Sequence, residues 1–117
     1  LFKLMSNSFV NAKLDLTSTD NTTLYTTPSA NVALVKSILV SNDSGSGCNL
    51  DVTLTDSSGN VFSLFKTKTI ATNTTTELLT QPLVVQESEI IKVQASDANE
   101  LHVVASILQI QPREVVT

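Results

Sequence analysis

The sequence predicts an all-β protein: a single antiparallel β-sandwich, jelly-roll-like or immunoglobulin-like, with eight or nine strands. Three observations carry this. Apolar residues alternate with polar ones along much of the chain, and clusters of Ser, Gly, Asn, Asp and Pro interrupt the alternation at intervals of roughly ten residues. No stretch shows a helical period over more than one turn. Hydrophobic residues make up 41% of the chain but aromatics only 4%, with no Trp, so the core must be built from Val, Leu and Ile. Branched aliphatic side chains suit a pleated, half-buried surface.

Residues 1–11 (LFKLMSNSFVN) have no clear period and read as an N-terminal arm. Its Phe2, Leu4, Met5 and Phe9 would be costly to leave in water, at about 25 cal/mol per Å² of apolar area, so they should dock on this domain or on a neighbour. Residues 12–16 form a short first strand and 22–26 a second, after which Pro28 ends pairing because it lacks an amide proton. Residues 31–42 (NVALVKSILVSN) form a long strand. Strict alternation puts Val32, Leu34, Ile38 and Val40 on one face, interrupted by Lys36, and Ala33, Val35, Ser37 and Leu39 on the other, which implies cover on both faces for part of its length.

The Ser/Gly segment 43–47 reads as a flexible loop. Residues 49–56 alternate cleanly, with Leu50, Val52 and Leu54 inward, and the turn 57–60 (SSGN) joins them to 61–68 as a hairpin. In that second arm Phe62 and Leu64 fall on one side and Phe65 on the other. Short strands follow at 74–79 and 83–85, separated by Pro82. Residues 89–95 and 101–110 read as a second hairpin across the turn 96–99, and Pro112 closes the last strand. The organisation is therefore an arm (1–11), a sandwich domain (12–111) and a C-terminal tail (112–117). The tail's Val115 and Val116 are suited to adding to a neighbouring sheet or groove.

A chain of 117 residues holds one domain, able to bury roughly two-thirds of its unfolded surface. Charged residues are 15% of the total and Ser, Thr and Asn about a third, giving a neutral, hydroxyl-rich surface. The seven basic residues, against eleven acids, are scattered at Lys3, Lys13, Lys36, Lys66, Lys68, Lys92 and Arg113, which excludes an electrostatic footprint for nucleic acid. Lys66 with Lys68, the nearest approach to a basic patch, reads as a solvated pair. The longest apolar runs, such as 103–110, are too short to cross a bilayer, and the N-terminus lacks the order of a signal peptide. The start at Leu1 points to a leader processed away or left outside the numbering. Cys48 is the single cysteine, so there is no internal disulfide; assembly inside a cell is the simpler reading, with Cys48 a small buried hydrophobe.

Catalytic sets are missing. His102 is the sole histidine, sits mid-strand and has no second histidine for metal binding. Acid pairs such as Asp15 with Asp20 or Glu87 with Glu89 read as a solvated rim, and the turns at 43–46 and 56–60 lack the terminal Glu of an EF-hand loop. The sequons at Asn21, Asn42 and Asn73 are expected by chance in a chain this rich in Asn and Thr. The expectation is no enzymatic activity, no cofactor and no metal.

Residues 23–28 (TLYTTP), followed by 33–42 (ALVKSILVSN) and the Ser/Gly loop 44–47, resemble small virion proteins of tailed bacteriophages, in which a Leu-Tyr-Thr-x-Pro segment precedes a long Val-Lys-Ser-Ile strand. Residues 89–95 and 102–110 resemble their last strands. The resemblance implies a structural role on the particle, foremost as a capsid decoration (cement) protein. The implied partners are the major capsid protein or other virion subunits, and further copies of the chain, with a trimer one arrangement; nucleic acid and membrane are not among them. The implied location is the capsid surface after assembly in the host cytoplasm. Contacts fall to Phe2, Leu4, Met5, Phe9, Val115 and Val116, with loop 43–48 facing outward or toward a partner. The alternative is a tail, neck or fibre component that binds a receptor or carbohydrate, for which Tyr25 is the only tyrosine available as a platform.

Overall fold

The computed structural model describes residues 2–3, 6–111 and 114–115, with side-chain surroundings for 7–111. Two antiparallel sheets of nine strands face each other, and a two-stranded ribbon adjoins them. One sheet has the order β2 (Ser6–Asp15), β10 (Leu101–Gln111), β4 (Val32–Asn42), β7 (Thr74–Glu77), with β8 (Leu83–Val85) continuing the β7 edge along β4. The other has the order β3 (Thr22–Thr26), β9 (Ile90–Ala95), β5 (Cys48–Thr55), β6 (Val61–Ile70). Apart from the β5–β6 hairpin and the β7–β8 step, each connection crosses from one sheet to the other. Of the two predicted forms, this is the jelly roll.

The interior is aliphatic. Ile38, Leu50, Ile70, Ile91, Leu101, Ile107 and six valines are essentially without solvent contact, while Tyr25 and Phe65 sit at the edge of the core. Burial of such side chains is worth about 1.5–3 kcal/mol each, the dominant favourable contribution in a fold whose single cysteine forms no internal disulfide.

Three expectations are corrected by the structure. The inner residues of β4 are Ala33, Val35, Ile38 and Val40, not a strict every-second set. Ser106 pairs with Ser37 and Ile107 with Val35, so Lys36 is a bulge residue that faces outward beside Ser37. The bulge joins two half-patterns of opposite phase, which is why alternation alone put apolar residues on both faces. Glu77 holds it in place: its carboxylate accepts from the Ile38 amide (2.9 Å), the Leu79 amide (3.1 Å) and the Ser37 hydroxyl.

The second correction concerns residues 96–99. They do not turn a hairpin, because β9 pairs with β3 and β5, and β10 with β2 and β4. Both flanks of each strand are occupied, so the segment is a corner between sheets. The Ser96 amide donates to the Asn49 carbonyl (2.9 Å), and Asn99, at φ 64°, donates its amide to the Leu16 carbonyl (2.9 Å).

Third, the first sandwich strand starts at Ser6 rather than at residue 12. Ser6 pairs with Gln111 and Asn11 with Ser106 in an unbroken ladder. Half of the expected arm is therefore sheet.

Candidate functional site

The paired ends come first. β1 (Phe2–Lys3) pairs antiparallel with β11 (Glu114–Val115), Phe2 opposite Val115 and Lys3 opposite Glu114. The pairing offset is the same as in the β2–β10 ladder, so this two-stranded ribbon is in register with that ladder. They leave the sandwich at the end where Ile110 pairs with Val32, and the molecule is correspondingly long, 59 × 26 × 24 Å. Of the expected contact residues, Phe2 and Val115 are thereby brought together. Phe9 lies on the outward face of β2, 79% exposed, opposite Leu108. Leu4, Met5 and Val116 lie outside the described residues.

Loop 43–47 sits at the opposite end, beyond the Asn42–Leu101 pair. Neither of its glycines has positive φ, and an ordered side chain anchors it. Asn42 is 1% exposed, and its Nδ2 donates to the Ser46 carbonyl (2.9 Å) and the Ile70 carbonyl (3.1 Å). Its Oδ1 accepts from the Ser44 amide (3.0 Å) and hydroxyl (2.7 Å). With both ends of the amide engaged and buried, the sequon at Asn42 is closed to modification.

Next to this loop, the ligand atoms of Cys48, Asp97 and Glu100 lie within 4.8 Å of one another. Cys48 is buried, its Sγ within 3.5 Å of Ser96 Oγ. Glu100 accepts from the Ser46 hydroxyl through one oxygen, while the other is buried without a partner among the described residues. Three donors of which one is an exposed carboxylate fall short of the four-ligand set of a structural zinc site.

His102 stands on the outward face between β2 and β4. Its Nε2 is 3.2 Å from Asp15 and its Nδ1 is 4.0 Å from Asp43. Ser41 is its neighbour across β4, but both ring nitrogens are turned to carboxylates. A triad needs one nitrogen on the nucleophile, which this arrangement does not supply.

Tyr25 is half-buried and donates its hydroxyl to Gln109 Oε1 (2.6 Å). Burial pushes its phenol above the ordinary value, with a contact to Thr27 acting the other way. Lys66 approaches Asp51 at 3.9 Å, and the same carboxylate accepts from the amide of Thr67, at φ 49°, which kinks the edge strand β6. Asp56 caps the β5–β6 turn. The Asn60 amide is the main influence holding its carboxyl below the usual range, and the Ser58 and Gly59 amides add to it.

Sequence reasoning missed Asn42 and Glu77, whose roles depend on partners far along the chain. A long strand ending in Asn before a Ser/Gly loop was a legible signal for the first; for the second there was none.

No known protein family matches the chain, and no curated protein matches it. Solved structures do. A chain from Bacillus endospore appendages, described as a family of disulfide-linked pili, superposes with a TM-score of 0.58 at 12% identity, over 93% of this chain and 89% of that one. A chain of infectious bursal disease virus, Gx strain, superposes with a TM-score of 0.53 at 12% identity, over 94% of this chain and 33% of that one. This chain thus spans about a third of the viral chain. At such identities the likeness is one of fold.

Proposed function

We propose that this protein is a non-enzymatic structural subunit of a tailed-phage virion, a capsid decoration protein that grips the shell through its two ends. The observation that carries the reading is the ribbon. Both termini leave one end of the sandwich, paired with each other in the register of β2 and β10, so both reach the same neighbour. Phe2, Leu4, Met5, Val115 and Val116 are then the contact residues, and the major capsid protein is the partner; Phe9 lies in β2, outside the ribbon. A two-stranded ribbon can add backbone hydrogen bonds to a neighbouring sheet, and repetition over a symmetric shell makes modest single contacts add up.

The fold supports this coarse reading, since similar folds occur in a chain from Bacillus endospore pili and in a chain of infectious bursal disease virus. The pilus is described as disulfide-linked, whereas the single cysteine here, Cys48, is buried, so the ribbon must hold without covalent help. The absence of an activated nucleophile at His102 supports a non-enzymatic role. Against the carbohydrate-binding alternative stands Tyr25, whose ring is half-buried and whose hydroxyl is committed to Gln109.

The test is co-sedimentation with purified particles. Removing residues 1–5 and 112–117 leaves both sandwich sheets whole, whereas removing 1–11 would strip half of β2. The truncated protein should stay folded and no longer pellet with particles. Undiminished binding would refute the role of the ends.

A further inference from the structure

We propose that the outward face of the β2–β10–β4–β7/β8 sheet is the interface of a two-fold homodimer, on which a second copy of this chain packs face to face. This goes beyond the decoration reading and does not depend on it.

The face carries a cross-strand apolar row. Phe9 is opposite Leu108, Leu108 opposite Leu34, and Leu34 opposite Val84, one residue from each of four strands. Phe9 is 79% and Val84 53% exposed, with Leu34 and Leu108 partly so. Ile110 and Val32, paired and also partly exposed, extend the band by one row. Single exposed apolar residues are ordinary, but a contiguous band across a whole sheet marks a contact site. The other sheet differs: its outward row Thr23, Lys92, Thr53, Ser63 is all polar, and its exposed large apolar side chains, Val61 and Phe62, are confined to the β6 edge.

The occupant follows from how the face would meet itself. In an isologous dimer with its axis parallel to the strands and between β10 and β4, β10 faces β4 of the second copy, and β2 faces β7 and β8. Leu108 then meets Leu34, and Phe9 meets Val84. Two rows nearer the loop end, beyond the polar Asn11–Ser106–Ser37 row, Lys13, Val104, Leu39 and Glu77 are cross-strand neighbours in that order. The same operation sets Val104 on Leu39 and the Lys13 cation on the Glu77 carboxylate, twice per dimer. Lys36 on β4 faces Ser106 of the second copy and gains no counter-charge there, a cost that the apolar rows and the two Lys13–Glu77 pairs must outweigh. A cation at one edge and an anion at the other edge of a single row is what a self-complementary face requires, and an unrelated partner would not impose it.

The size is adequate. From His102 to Ile110 across four strands the face measures about 26 by 19 Å, or about 500 Å² in projection. Side-chain relief raises the accessible area above this, toward the roughly 800 Å² per partner of a standard interface. A depression of about 350 Å³ between Phe9 and Lys36, floored by Ser106 and Ile107, leaves room for interdigitation.

Sedimentation equilibrium on the full chain should show a monomer–dimer equilibrium, and Leu34→Asp should weaken it about a hundredfold because it buries an unpaired charge. Val84→Asp, at a more exposed site, should act likewise and keeps the test valid if Leu34→Asp misfolds. Ser63→Asp, on the other sheet, should change nothing. Register is read by oxidation: Phe9→Cys and Val84→Cys chains mixed together should cross-link to each other. Neither should cross-link to itself, since like positions lie three strand spacings apart, about 14 Å. A wild-type chain monomeric at millimolar concentration, a dimer unaffected by both aspartates, or F9C chains joining each other would overturn the proposal. Loss of particle binding on removal of the ends would leave this dimer intact, so the two readings fail separately.

Discussion

Replacing Asn42 by Ala removes one buried side chain and four hydrogen bonds at once. Their consequences differ. Ser44 and Ser46 lie in the loop at the surface, where water can take over, so those losses are worth a few tenths of a kcal/mol each. The Ile70 carbonyl belongs to a fully buried residue and loses its side-chain partner where water does not follow, at a cost of about 1–3 kcal/mol. Together with the small cavity, the change should total about 2–4 kcal/mol. For a chain of this length a loss of 1 kcal/mol lowers Tm by about 4 °C, so the midpoint should fall by about 8–16 °C. Urea and thermal unfolding followed by circular dichroism would measure it. Ser44→Ala, which deletes only the peripheral bonds, should cost under about 1 kcal/mol. If the two variants lost equal stability, or if Asn42→Ala stayed within 1 kcal/mol of wild type, the anchoring argument would be wrong.

Other outcomes follow from single features. Deleting Lys36 removes the bulge and leaves a regular strand whose inner residues are unchanged, so the protein should fold with a loss below about 2 kcal/mol, whereas deleting Leu39 should prevent folding; far-UV spectra and unfolding curves of the two would decide. Gly59 has φ 90° with open space around its missing Cβ, so Gly59→Ala should cost about 1 kcal/mol from backbone strain alone, read from the shift in urea midpoint. The Glu77 carboxyl is held below its ordinary value near 4.5. Burial, the largest single influence, raises it, but the Ser37 hydroxyl and the Ile38, Leu79 and Leu78 amides together outweigh that. A lowered folded value means stability fully present above the ordinary value and lost as pH falls through the folded one. Glu77→Gln should therefore flatten the acid limb of a stability–pH profile while leaving its shape near neutrality unchanged.

Much of the sandwich was legible because alternation is a local property. The strands at 22–26 and 83–85 stand where the pattern puts them, and β5 buries Cys48, Leu50 and Val52 on one face as its period requires. What the pattern did not carry is pairing. Residues 96–99 have turn chemistry whether they fold a hairpin or a corner, and the choice depends on β3 and β5 already flanking β9. The bulge at Lys36 was visible only as a fault in the alternation, since nothing local says whether such a fault is a second buried face or a change of phase. The residues proposed as contacts stand out in the sequence as apolar side chains outside any regular alternation. That Phe2 and Val115 share one ribbon accords with a register set by β2 and β10, whose paired residues lie 87 to 105 positions apart in sequence. Phe9 looked like part of a free arm and instead stands at the edge of a sheet, in a row whose other members come from three distant strands.

The central claim is that the two ends act as one device at one pole of the molecule. Cryo-electron microscopy of the assembled virion reads this directly. The account predicts a jelly roll seated on the capsid with the β1–β11 ribbon buried in the shell and loop 43–47 pointing to solvent; a copy seated by loop 43–47 with its ribbon in solvent, or a shell carrying no copies, would contradict it.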